Sequence, residues 1–155
     1  EYLGKSVLRE VDEDEFMKNI ADIRSSCGDR AVLRAMHFYG DNARVEKQAA
    51  ALKAGDFETF KKYIIESGRS SYMYNQNVYS CKKTSEQPVS LALSLSEKLL
   101  DGCGAWRVHG GGFAGTIQAF VPLNKLDEYK DLMEKVFGSG SCYILSVRPV
   151  GGVEL

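Results

Sequence analysis

Ala105-Trp106-Arg107-Val108-His109-Gly110-Gly111-Gly112-Phe113-Ala114-Gly115-Thr116-Ile117-Gln118-Ala119-Phe120-Val121 is the stretch in which the apolar periodicity of the chain changes. Two short strand-like runs, residues 105–109 and 116–121, flank a glycine-dense segment, which is the pattern of a β-hairpin with a long connecting loop. Almost everything upstream has helical spacing instead. Helices in the first half and mixed strands and helices in the second predict an α+β domain, an antiparallel sheet with helices packed on one face.

Working outward, each predicted helix carries its own punctuation. Asp12 offers a side-chain oxygen to the first free amides of a helix over about residues 14–26, with Glu15 three positions on as in a capping box and Phe16, Ile20 and Ile23 on one face. A long helix over 29–54 follows, with Val32, Met36, Tyr39, Ala43, Val45, Ala49 and Leu52 inward and Gly55 closing it. Asp56 caps the next, whose stripe is Phe57, Phe60, Ile64 and Ile65; the near absence of a loop makes the two an antiparallel hairpin. After a polar stretch around residues 75–84, Pro88 opens a helix with Leu91, Leu95, Leu99 and Leu100 inward, ending at Gly102. Beyond the hairpin, Asn124 caps a helix through Tyr129, Met133 and Phe137, residues 142–147 read as a last strand, and 150–153 continue it. Residues 2–11 read as an extended lead-in or a short strand.

With 155 residues and 44% hydrophobic composition, the chain can bury one real core, and a single domain over 1–155 is expected. Its 20 basic and 21 acidic residues leave no field that would draw it onto nucleic acid or an anionic membrane. The acidic run at 12–15 suits a helix amino terminus better than a metal. Cys27, Cys81, Cys103 and Cys142 form no Cys-x-x-Cys pair, which argues against zinc and for free thiols in a reducing cytoplasm. No apolar run reaches membrane-spanning length. The start at Glu1, without an initiator Met, fits a fragment of a longer chain, though processing gives the same start.

The chemistry concentrates at Gly110, Gly111, Gly112, Phe113, Ala114 and Gly115, with His109 beside them. Glycine lets backbone approach a ligand closely, and successive amides in such a turn converge on an anion. The plain alternative is a hairpin loop whose glycines serve only the turn. No Lys followed by Ser or Thr comes after the glycines, so this is no Walker loop. His109 can serve as a hydrogen-bond donor to a substrate or merely neighbour the backbone. Arg34 and His37 share a helix face and either reach a phosphate or form ordinary salt-bridged surface. Tyr72, Tyr74 and Tyr79 interleave with Asn75, Gln76 and Asn77 as stacking residues or loop anchors.

The run from Ala105 to Gly115 resembles the third motif of galactokinases, members of the GHMP superfamily of small-molecule kinases. Arg34-Ala35-Met36-His37, Asp41-Asn42-Ala43-Arg44-Val45 and Leu52-Lys53-Ala54-Gly55-Asp56 resemble that family's helical region. Glu66-Ser67 sits at its Glu-Ser-His element, and Tyr143-Ile144-Leu145-Ser146-Val147-Arg148-Pro149 resembles its closing strand. Departures are His109, where the family has Thr or Ser, Ala114, where it has Gly, and residues 76–87, which lack the Ser-x-Pro-Glu-Leu-Asp stretch. The resemblance implies the ferredoxin-like carboxy-terminal domain of a sugar kinase acting on galactose or a related hexose with ATP and Mg. Its glycine loop would line the cleft shared with an amino-terminal kinase domain, its principal partner. That domain carries the base, the charge-stabilising Arg and the phosphate loop, none of which occurs here, so no catalytic residue is assigned and ATP is expected to bind this chain weakly. The remaining readings are a kinase-like sugar-sensing regulator and a stand-alone α+β binding module. A surface normally covered by the missing domain implies self-association.

Overall fold

The computed structural model describes residues 2–113 and 115–147, and the chain divides into two units, Glu1–Val121 and Pro122–Leu155. In the first unit the lead-in contains a turn of 3-10 helix at Leu8–Glu10, with Val7 and Val11 extended on either side. Asp12 then accepts the Asp14 amide at 2.9 Å and starts α1, Glu13–Lys18. The single helix expected here is interrupted. The Asn19 side chain donates to the Glu15 carbonyl at 2.8 Å, competing for the group that helical continuation needs, and α2, Ile20–Cys27, begins beyond it. Val11, Phe16, Ile23, Val32 and Ala35 form one buried cluster with Tyr39 against it, whose hydroxyl donates to the Val11 carbonyl at 3.0 Å.

Helix α3, Asp29–Lys53, and helix α4, Phe57–Ser70, are the predicted hairpin. Asp56 caps α4 by accepting the Thr59 amide at 3.0 Å, and the hydrogen bonds with Thr59 hold its carboxyl below the usual range. Cross-links run the length of the pair: Gln48 to the Tyr63 carbonyl at 3.5 Å, Arg44 to Glu66 at 3.9 Å, and His37 to Ser70 at 2.9 Å. The buried face follows the expected stripe in part, with Val32 and Ile64 buried. Met36, Val45, Leu52 and Phe57 are exposed, while Ala35 and Ala51 are buried, Ala35 in the cluster with Phe16 and Ile23.

Past Ser70 the helix widens into a π-turn over Ser71–Asn75, closed by the Gln76 amide on the Ser71 carbonyl at 2.8 Å. Helix α5, Pro88–Leu100, buries Val89, Ala92, Leu93, Ser96 and Leu100; Leu91, expected inward, is exposed. Strands β1, Ala105–Val108, and β2, Ile117–Phe120, pair antiparallel with Ala105 opposite Phe120 and Val108 opposite Ile117. Helices α4 and α5 pack on this sheet. Phe60 meets Phe120 edge-to-face at 5.3 Å, and Gly104 lies so close to β2 that a methyl there would sit 2.6 Å from the Phe120 carbonyl. The α+β class and the antiparallel sheet are as predicted.

In the second unit a 3-10 turn, Leu123–Lys125, leads into α6, Leu126–Phe137, with Tyr129 and Met133 buried. Asn124 lies inside that 3-10 turn and caps nothing. Residues 142–147, expected as a strand, have no ladder partner among the described residues, and Tyr143, Leu145 and Val147 are exposed. Residues 150–153 lie outside the described residues.

Candidate functional site

The glycine segment links β1 to β2. The His109 amide donates to the Thr116 carbonyl at 3.1 Å, extending the hairpin by one rung, and the Gly115 amide donates to the Gly112 carbonyl at 3.0 Å, folding the tip back. Gly110, Gly112 and Gly115 have φ of 59°, 84° and 86°, values open to glycine at little cost. Gly110, Gly111, Phe113 and Gly115 are exposed, and so is His109; Ala114 lies outside the described residues. Among the described residues no acceptor meets the Gly110 and Gly111 amides, and both glycines are exposed. Unpaired amides in a glycine-rich turn suit an anion or a hydroxyl-rich ligand.

Gly112 differs from its neighbours. It is buried, and a methyl on it would overlap the Asn77 carbonyl oxygen and lie 2.8 Å from Asn77 Nδ2. Asn77 in turn donates from Nδ2 to the Gly111 carbonyl at 3.2 Å, and it is 4% exposed, with Oδ1 buried and unpartnered. The loop therefore rests on the segment that follows the π-turn.

Arg34 and His37 do not reach this loop directly. Arg34 Nε donates to the Asn75 carbonyl at 3.2 Å, and Arg30 reaches the Gln76 carbonyl at 3.2 Å. Both guanidiniums therefore meet the negative carbonyl end of the α4 π-turn, where cations are favoured. His37 belongs to a separate polar cluster with Ser70 at 2.9 Å and Asp41 at 4.0 Å. Burial pushes its imidazole below the ordinary value; Asp41 pulls upward, and Arg44 and Arg107 add to the lowering. Tyr72 and Tyr79 pack together at 5.5 Å between ring centroids, as loop anchors do. The residue that sequence reasoning missed is Asn77. Its signal was available in Val78 and Tyr79 beside it, too apolar a flank for an ordinary solvated loop.

The chain is similar to galactokinases. It is 31% identical over 153 residues to human galactokinase, covering 99% of this chain and 36% of that enzyme. The Bos taurus galactokinase is 30% identical over 143 residues (92% of this chain, 33% of the enzyme), and the Haemophilus influenzae one 26% identical over 132 residues (85% and 32%). The chain thus spans about a third of the length of the curated galactokinases it matches. No family model matches it. No described helix is long and apolar enough to cross a membrane.

Proposed function

We propose that this chain is the carboxy-terminal part of a galactokinase, an ATP-dependent enzyme that converts galactose and ATP to galactose 1-phosphate and ADP. In that reaction the anomeric oxygen bonds to the γ-phosphorus, the bond from that phosphorus to the β,γ-bridging oxygen breaks, and the hydroxyl proton leaves to a base. The observation that carries the reading is similarity to galactokinases over 85–99% of the chain, with exposed glycines in the loop that joins the two strands. Residues 110–115 form one wall of a cleft whose other wall belongs to the amino-terminal part. Phosphoryl transfer is mostly positioning and charge stabilisation, and this wall contributes positioning.

Mg accompanies ATP in such a reaction, but this chain does not fit as its holder. The loop over 109–116 has no carboxylate, and no three His, Cys, Asp or Glu residues gather among the described residues. A sugar sensor without turnover is the second reading; loss of the phosphate loop and catalytic Asp from the parent's amino-terminal part favours it, and their presence favours the enzyme.

The test is sugar-dependent ADP formation by the full-length parent, by the 155-residue chain alone, and by the chain mixed with a separately made amino-terminal part. Galactose turnover is expected from the parent and the mixture and none from the chain alone. Turnover by the chain alone overturns the division of labour, and galactose binding by the parent without turnover establishes the sensor.

A further inference from the structure

We infer that Asn77 is the positioning residue of the glycine-rich loop, and that Arg30 and Arg34 of α3 hold Asn77 in place. The loop itself has little to fix it. It has two internal hydrogen bonds, Gly110, Gly111, Phe113 and Gly115 are exposed, and four of residues 110–115 are glycine, the residue with the most conformational freedom to lose.

Asn77 supplies the fixed point. Its side chain is almost wholly buried, its Nδ2 donates to the Gly111 carbonyl at 3.2 Å, and its backbone and amide group press on Gly112 from the side where glycine alone fits. Asn77 follows Gln76, which has φ of 54°, the only described residue other than glycine at positive φ. A side-chain-bearing residue holds that conformation only where its surroundings enforce it. The enforcement is visible: Arg30 holds the Gln76 carbonyl, Arg34 the Asn75 carbonyl, and the π-turn closes on the Gln76 amide. A continuous set of contacts thus runs from the first turns of α3 through residues 75–77 to the tip of the β-hairpin.

The role of this brace in phosphoryl transfer rests on the sugar-kinase reading; the brace itself does not. If the loop lines the cleft, a shift of its amides by a fraction of an ångström misaligns substrate in the transition state while leaving the ground-state contacts made elsewhere.

Two variants of the full-length protein test this. Asn77→Asp keeps the shape and removes the donor, placing an acceptor against the Gly111 carbonyl. Arg30→Met removes an exposed guanidinium and keeps most of its stem. Hydrogen exchange read on peptides covering residues 109–116 is expected to quicken about tenfold in Asn77→Asp at the His109 and Gly115 amides, and less in Arg30→Met, with peptides from α4 unchanged. In the same Asn77→Asp protein kcat is expected to fall about tenfold or more, with KM for sugar and ATP within about threefold. Loop exchange equal to that of the unsubstituted protein in both variants overturns the proposal, and so does acceleration shared equally by α4. An unsubstituted protein that exchanges as expected but shows no sugar kinase activity removes the enzymatic reading and leaves the brace standing.

Discussion

Gly111 and Gly112 are chemically identical neighbours with opposite surroundings. A side chain at Gly111 meets open space, whereas one at Gly112 meets Asn77 at a φ of 84°. Gly111→Val in the full-length parent is therefore expected to leave stability within about 0.5 kcal/mol and to cut turnover by obstructing approach to the substrate. Gly112→Ala is expected to cost about 1–3 kcal/mol and lower turnover as well. Thermal melts run beside kinetics separate the two, and equal loss of fold in both variants counts against an outward-facing Gly111. His37 sets a second expectation at this scale. Because burial lowers its folded pKa, the unfolded chain holds more protons in the interval between the folded value and about 6.5, and stability there rises with pH. Its contribution is complete above about 6.5 and is lost as pH falls from there through the folded value. Melts across that range should show a slope that His37→Gln reduces; a slope unchanged by the substitution assigns it to another group.

Among the elements, the hairpin of β1 and β2 depends on how near α5 and the turn after it come to the sheet. Gly104→Ala places a methyl 2.6 Å from the Phe120 carbonyl and 3.0 Å from Leu100 Cβ, and both neighbours are held by the core. A loss of about 1–3 kcal/mol by denaturant titration is expected, and a neutral result means that β2 yields. Starts and stops of elements were legible from single residues: Asp12, Asp56 and Pro88 begin helices, and Gly55 and Gly102 follow their ends as expected. Which face turns inward was less legible. Periodicity favours the large apolar residues of α3, yet Ala35 and Ala51 are buried and Met36 and Val45 lie outside. The break at Asn19 depended on a side chain outcompeting a backbone donor, and the strand expected over 142–147 needed a ladder partner that propensity does not supply. At the candidate site the glycine loop was plain in the sequence; its support by Asn77 was not, because the contact joins residues 34 positions apart.

For the whole molecule, the apolar surface left uncovered is considerable. Leu145 is 87% and Val147 92% exposed, within an extended run of high β propensity. Self-association that grows with concentration is expected in analytical ultracentrifugation, and Leu145→Lys with Val147→Lys should suppress it; an ideal monomer at every concentration counts against it. The cross-links between α3 and α4 carry a further consequence, for the order in which the chain finds its shape. Measured along the sequence, Gln48 and Tyr63 are 15 residues apart, His37 and Ser70 33, Arg34 and Asn75 41, and Arg30 and Gln76 46. Each rung brings the next within reach, so the helical pair is expected to close from the Gly55 turn outward like a zip, with little loop entropy lost per step. The seat for the glycine hairpin is the last tooth, ready only when the zip is fully drawn.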